Sequence, residues 1–408
     1  MKVSHKLLFV LCLAVALGYI FNLSKKLHLS VWGQKPQIET EPTLIVLNVT
    51  QSTPEIRTEP TRIVLQKGAS TPESEADIAL TVGRIVGSEY DKQGFLQKLD
   101  VKLPVELEYK YGNLTEGVCK PGYAAAMMTA IYPKFMKPAP MFLDRNFKRL
   151  AKVSKFLPPF GFKTQERIID IILTITKNYG LSPHLDSLPC KRCIIVGNGG
   201  ILANKSMGSR IDAYDVVVRL NEAPVTGFSR DVGTKTTMRI TYPEGAMQKP
   251  DRYETDSLFV FSAFKPLDFK WFKHMVFNEK LRGTEGFWKP VARHVPREPT
   301  EMRILNPYFI QEAAFQFIGL PLNNGLMGKG NIPTLGTVAI TMALHNCDEV
   351  AVAGFGYDMT KPYLPLHYYE KVKMSAIKES WTHNISKEKE FLHKLVKAKV
   401  ITDLTNGI

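Results

Sequence analysis

The run Cys193-Ile-Ile-Val196, followed at once by Gly197-Asn198-Gly199-Gly200, constrains the fold more than any other stretch of this chain. Four consecutive apolar residues have no polar face to turn to water, so as a strand they must be covered on both sides, the situation of a parallel sheet between helices. Glycines at the carboxyl end of such a strand let the backbone turn tightly and approach a ligand. Asp215-Val-Val-Val-Arg-Leu220 has the same character about 20 residues on. Strand, glycine turn, helix, strand is a βαβ unit, whose first turn is a phosphate- or nucleotide-binding position. In the C-terminal half, helix-like Thr337–Leu344 leads to a strand over Glu349–Ala353 and then to Gly354-Phe-Gly356. Two strands that end in glycine predict an α/β domain with a nucleotide crevice built from both ends. Ile168–Tyr179 carries apolar residues at helical spacing, with Pro183 beyond it.

Asn198 and Asn221 stand at two predicted strand ends, 23 residues apart. An amide both donates and accepts, which suits recognition of nucleotide groups without added charge. Asparagine also tolerates left-handed turns and caps helices, so turn chemistry is the competing reading. A dinucleotide dehydrogenase is disfavoured, because Leu202 stands where the third fingerprint glycine belongs and Arg219-Leu-Asn221 where a ribose-binding acid belongs.

With 53 Lys and Arg against 39 Asp and Glu, the chain carries a net +14 that attracts anions. The excess is spread out, with no basic block and no zinc-finger spacing, which argues against nucleic acid as a partner. A 44% hydrophobic and 23% charged composition excludes wholesale disorder and a polytopic membrane protein. No D-x-D occurs, so the paired carboxylates on which many sugar-nucleotide transferases hold a divalent ion are missing and no metal is expected.

Lys2, His5 and Lys6 precede the uninterrupted apolar run Leu7–Phe21. As a helix this run reaches about 26 Å, marginal for a bilayer core but adequate for a thin one. No A-x-A cleavage site follows, favouring an uncleaved signal-anchor over a removed signal peptide. The expected layout is a cytosolic tail over 1–6, a transmembrane anchor over 7–26, a flexible stem over 27–94 and a globular domain over 95–408. The stem is rich in Thr, Pro and Glu and holds an 18-residue repeat, Thr40-Glu-Pro-Thr recurring as Thr58-Glu-Pro-Thr. Two copies are too few for a solenoid. Asn48, Asn113, Asn204 and Asn384 begin N-glycosylation sequons. Cys190-x-x-Cys193 reads as a zinc pair or redox motif only in isolation, since no second ligand pair accompanies it.

Taken in order, these segments resemble the animal sialyltransferases, with their motifs L, S, III and VS. Cys193-Ile-Ile-Val-Gly-Asn-Gly-Gly, Val218-Arg-Leu-Asn-Glu-Ala-Pro224 and Asp231-Val-Gly-Thr-Lys-Thr-Thr237 match the long motif. Asn331-Ile-Pro-Thr-Leu-Gly336 through Gly354-Phe-Gly-Tyr-Asp358 matches the short one; His367-Tyr-Tyr-Glu370 matches motif III, and His383 with Glu388 the very short motif. Pro158-Pro-Phe-Gly and Asn323-Asn-Gly-Leu-Met-Gly328 are most similar to the branch that acts on N-acetyllactosaminide.

The resemblance implies a Rossmann-like, GT-A-like parallel sheet. It implies inverting, metal-independent transfer of sialic acid from CMP-sialic acid, with no cofactor, to the 3-hydroxyl of galactose in Galβ1-3GlcNAc or Galβ1-4GlcNAc. Lactosylceramide and Galβ1-3GalNAc are alternative acceptors, and a non-catalytic lumenal glycan-binding protein is the alternative class. It implies a single-pass type II protein of the Golgi membrane, which cleavage in the stem would release as a soluble form.

Deprotonating a sugar hydroxyl needs a base that works near neutrality, the province of histidine. By motif position His383 is that base and His367 donates to the leaving phosphate. Asn198, Asn221, Gly336 and Gly356 carry over as contacts to the CMP group, and Glu388 carries no assigned role. The pattern pairs Cys193 with Cys347 and Cys119 with Cys190, leaving Cys12 free in the anchor. Trp271, Phe272, Trp288, Tyr308 and Phe309 are expected in the core.

Overall fold

A computed structural model describes residues 89–99, 104–115, 117–136, 139–281, 283–328, 330–377 and 382–408. The expected tail, the anchor, Cys12, the Asn48 sequon and both copies of the stem repeat lie outside the described residues. Among the described residues no helix is long and apolar enough to cross a membrane.

The chain forms a seven-stranded sheet from β1 (Arg192–Val196), β2 (Val216–Leu220), β3 (Met238–Thr241), β4 (Leu258–Phe261), β5 (Met302–Ile304), β6 (Glu349–Ala353) and β7 (Ile401–Asp403). Its order is β5-β4-β3-β2-β1-β6-β7, and every neighbouring pair is parallel. β1 and β2 are the two runs whose unbroken apolar character demanded cover on both faces, and they sit near the middle. From β1 the chain builds outward to β5, then returns to lay β6 and β7 on the other side of β1. The direction of winding therefore reverses between β1 and β6, the place where open α/β sheets leave a crevice beyond their strand ends.

Helix α1 (Glu166–Thr176) buries Ile169, Ile172, Leu173 and Thr176, a stripe at helical spacing. With α2 (Pro266–Val276) it covers Phe259 and Phe261 of β4 and Met302 and Ile304 of β5. Helix α3 (Leu335–Asn346) is buried continuously from Leu335 to His345 and packs across β1, β2, β3 and β6. An interior helix of this kind needs apolar residues all round. Helix α4 (Ile385–Lys397) packs beside β7.

Disulfides join Cys119 to Cys190 and Cys193 to Cys347, as the resemblance implied. The second ties the amino end of β1 to the carboxyl cap of α3. Two expectations need correction. The packed structure takes in residues 89–94, assigned to the stem by composition: Asp91 accepts from the amides of Gln93, Gly94 and Phe95 and pairs with Lys394 at 2.6 Å, and Phe95 is fully buried. Trp271, Phe272 and Phe309 are core residues and Tyr308 is half-buried, but Trp288 is 68% exposed. It lies in an irregular segment between α2 and β5.

Candidate active site at the switch point

The ends of β1 and β6 meet backbone to backbone. The Gly197 amide donates to the Ala353 carbonyl at 2.8 Å and the Gly199 amide to the Gly354 carbonyl at 3.0 Å. A methyl group on either Gly197 or Gly199 would come within 2.6 Å of the Gly354 oxygen, so a side chain there would push the two loops apart.

His367 is carried to this junction by a segment that lies along the β1 loop. Gly199 and His367 form an antiparallel bridge, Gly200 donates to Leu366 at 3.0 Å, and the Tyr368 amide donates to the Asn198 carbonyl at 3.1 Å. The Tyr368 hydroxyl reaches on to the Pro224 carbonyl at 2.6 Å. One residue thus fastens the loops after β1 and β2, and its neighbour His367 is fixed between sheet and solvent. Glu370 is hydrogen-bonded to His367 Nδ1. A carboxylate accepts from an imidazole N–H, which places a hydrogen on Nδ1 and leaves Nε2 as the second nitrogen able to hold or give a proton. The Tyr369 ring stacks on the imidazole at 5.4 Å between centroids. Asn198 points its Nδ2 at the Tyr369 hydroxyl at 3.5 Å, while its buried Oδ1 has no hydrogen-bond partner among the described residues. An orphaned buried acceptor at a strand-end loop invites a ligand donor.

His383 is set by a different element. Its Nδ1 lies 2.8 Å from the Ile332 carbonyl, and the Ile332 amide donates to Thr382 at 3.2 Å. A carbonyl can only accept, so the neutral ring holds its hydrogen on Nδ1 and its lone pair on Nε2, the tautomer a base needs. Ile332 stands just before α3, whose first turn is capped by Thr334 accepting from the Thr337 amide at 3.3 Å.

Glu388, in the first turn of α4, explains why the two segments stay together. It is buried, accepting from the Thr334 amide at 2.9 Å and from the hydroxyls of Thr334 and Thr337 at 2.5 Å each. The sequence assigns Glu388 no role and gives no sign of this clamp, whose partners lie 51 to 54 positions earlier. Burial pushes the Glu388 carboxyl upward; the threonine hydrogen bonds and the neighbouring His383 oppose it without prevailing. A folded-state value above the unfolded one favours folding fully at low pH, and that contribution fades as pH rises through the raised value. Glu388→Gln is expected to lower thermal stability by about 1 kcal/mol through disrupted hydrogen bonds to Thr334 and Thr337. Thermal melts should show the difference between wild type and variant shrinking from the ordinary carboxylate range upward.

Asn221 ends β2 in the left-handed region, φ 52°, and its Oδ1 accepts from the Thr241 hydroxyl at 3.4 Å. It makes the turn after β2, which is the turn chemistry that the competing reading expects. At Gly336 a methyl would meet the Phe355 ring at 2.7 Å, so close packing of α3 on the β6 loop already requires glycine. At Gly356, φ 87°, a methyl would sit 1.6 Å from the Gly407 carbonyl, so the C-terminal tail supplies the reason there. Asn198, Asn221, Gly356 and His367 thus gather at the carboxyl ends of β1, β2 and β6, and Gly336 and His383 join them through the start of α3. Asn113 and Asn204 are exposed; Asn384 is half-buried and caps α4 through its Oδ1, which accepts from Lys387 at 3.1 Å. Among the described residues no group of three or more His, Cys, Asp or Glu is arranged to hold a metal ion.

The chain is 60% identical over 404 residues to the mouse CMP-N-acetylneuraminate-beta-1,4-galactoside alpha-2,3-sialyltransferase, covering 99% of this chain and 98% of that one. The human protein of the same name gives the same identity and coverage. The rat lactosylceramide alpha-2,3-sialyltransferase is 39% identical over 321 residues, or 77% of this chain and 83% of its own. A crystal structure of a mammalian sialyltransferase in complex with Gal-beta-1-3GalNAc-ortho-nitrophenol shares the fold, with TM-score 0.54 and 22% identity over 71% of this chain and 98% of that one. The sequence profile described as Glycosyltransferase family 29 (sialyltransferase) matches residues 142–400. With the family profile matching residues 142–400 and relatives 60% identical over 99% of its length, this chain belongs to glycosyltransferase family 29, the sialyltransferases.

Proposed function

We propose that this protein transfers sialic acid from CMP-sialic acid to O3 of the terminal galactose in Galβ1-4GlcNAc and Galβ1-3GlcNAc glycans. The observation that carries the reading is that two imidazoles on the carboxyl side of the sheet each have Nδ1 on an acceptor, an arrangement that suits Nε2 for proton transfer. His383 Nε2 takes the proton from galactose O3 as that oxygen attacks the anomeric carbon of sialic acid. The bond from that carbon to the CMP phosphate oxygen breaks, and His367, protonated and paired with Glu370, donates its Nε2 hydrogen to the phosphate. Attack and departure on opposite faces invert the anomeric centre. The Asn198 Oδ1 without a partner suits a donor on the nucleotide, Asn221 offers a second amide, and the backbone at Gly336 and Gly356 lines the phosphate side. The first-turn amides of α3 and the His367 imidazolium would balance phosphate charge without a metal ion.

The sheet is the support of a GT-A-like glycosyltransferase domain, held by the apolar run Leu7–Phe21 in the Golgi membrane with the catalytic part lumenal. An oxidising lumen suits the two disulfides.

The full chain in detergent, given CMP-sialic acid and a panel of galactose-terminated acceptors, is expected to form α-2,3-sialylated Galβ1-4GlcNAc and Galβ1-3GlcNAc at full rate in excess EDTA. Binding of CMP-sialic acid without transfer to any acceptor would overturn the assignment. Abolition by EDTA would overturn the metal-free chemistry.

A further inference from the structure

β2 and β3 place two arginines side by side in register, Arg219 and Arg239, and each is 1% exposed. Charged side chains are rarely interred in the middle of a parallel sheet without a task. Arg239 Nη1 donates to the Asn221 carbonyl at 2.7 Å and to the Ala223 carbonyl at 3.0 Å, the two ends of the turn that closes β2. The other side of its guanidinium fork lies on Glu254, through Nε at 3.2 Å and through Nη2. Burial alone would raise the Glu254 carboxyl, but the Arg239 charge outweighs it and holds the group below the ordinary carboxylate range, so the anchor is ionised. No single lysine ammonium could span both carbonyls and a carboxylate, whereas the planar fork does so with its natural geometry.

A buried ion pair of this kind is weak support for the fold, since apolar residues of similar size often serve stability as well or better. What apolar residues cannot do is hold two carbonyls in a turn whose first residue, Asn221, sits at φ 52°. We infer that Arg239, braced by Glu254, is a positioning residue for the sugar-nucleotide donor, holding the Asn221–Ala223 turn so that the Asn221 side chain meets the cytidine nucleotide. The inference rests on the assignment of Asn221 to the donor side of the crevice. The same turn is pinned from above by the Tyr368 hydroxyl on Pro224, so removing Arg239 loosens it without detaching it.

The decisive variant is Arg239→Met with Glu254→Leu, which removes both charges together and leaves no ion stranded. Its melting temperature is expected to stay near that of the wild type. The KM for CMP-sialic acid and the Kd for CMP by calorimetry should both rise about tenfold, the loss of one charge-assisted hydrogen-bond set. KM for the galactoside and kcat should change by less than about twofold, the range left by an undisturbed transition-state contact. Arg239→Lys, which keeps the charge and one bond, should recover part of the donor affinity and decides the matter if the double variant does not fold. Unchanged CMP affinity in the variants, or equal losses for donor and acceptor, would overturn the inference. Should the wild type bind CMP yet transfer to no acceptor, the proposed activity fails on its own, and CMP affinity still tests the brace.

Discussion

His383→Ala is expected to lower kcat by about 10²- to 10⁴-fold, the span of a lost general base, while leaving affinity for CMP close to that of the wild type. The split follows from where the ring is held. His383 is fixed through Ile332 at the approach to α3, whereas the candidate nucleotide contacts Asn198 and Asn221 belong to the loops after β1 and β2. The Ile332 amide bond to Thr382 and the Glu388 clamp do not involve the imidazole, so the segment keeps its course in the variant. His383→Gln should be nearly as poor: its amide can occupy the space, but it cannot take up a proton. Initial rates at saturating donor and acceptor, with calorimetric CMP binding on the same preparation, measure both halves. A fall in kcat of less than tenfold would assign the base elsewhere, and weakened CMP binding without a fall in kcat would move His383 to the donor side.

His367 is the contrasting case, and its surroundings separate its role from that of His383 without any appeal to motif order. Its Nδ1 meets a carboxylate, whereas Nδ1 of His383 meets a neutral backbone carbonyl, so the two rings are held by partners of different charge. On the proposed mechanism, the ring backed by a carboxylate suits the departing phosphate and the ring backed by a carbonyl suits the hydroxyl to be deprotonated.

Much of this was legible before any coordinates, for reasons tied to particular residues. β1, β2 and β6 announce themselves because a strand covered on both faces admits an unbroken apolar run, and the glycines after β1 and β6 mark ends where backbone meets backbone. β6 keeps the expected bounds, and α3 extends the expected Thr337–Leu344 by two residues at each end. β3 and β5 are hidden by their own chemistry. Arg239 and Arg303 interrupt three- or four-residue strands, and only the distant carbonyls and carboxylate that receive them make burial tolerable. The same distance hides Glu388: nothing near it in the chain indicates threonines more than 50 positions earlier. The resemblance carries Gly336 and Gly356 over as contacts to the CMP group, and the sequence does not say what crowds them. At Gly336 it is Phe355 and at Gly356 the C-terminal tail, contacts that exist only once β6 has been laid beside β1.

Removing the Cys193–Cys347 bridge by Cys193→Ala with Cys347→Ala is expected to cost up to about 5 kcal/mol, because it releases a loop spanning 154 residues in the unfolded chain. That is a large part of the stability of a typical domain, and it should lower the melting temperature by on the order of 10 °C. The effect on catalysis depends on where the bridge lies. Cys193 is the second residue of β1 and Cys347 precedes β6, so the bridge joins the amino ends of the two central strands. The crevice opens at their carboxyl ends, about 13 Å further along β1 at the usual rise per residue. Between the two, five register pairs and the glycine amide bonds to Ala353 and Gly354 keep β1 and β6 together without help from sulfur. The variant should therefore lose activity through unfolding and not through a distorted site. Assayed well below its melting temperature it should keep a kcat close to wild type, and near that temperature its activity should fall in step with the loss of folded protein followed by circular dichroism. A cold enzyme with native melting but lost turnover would mean that the bridge shapes the crevice directly, and an unchanged melting temperature would mean that the long loop is already restrained in the unfolded chain.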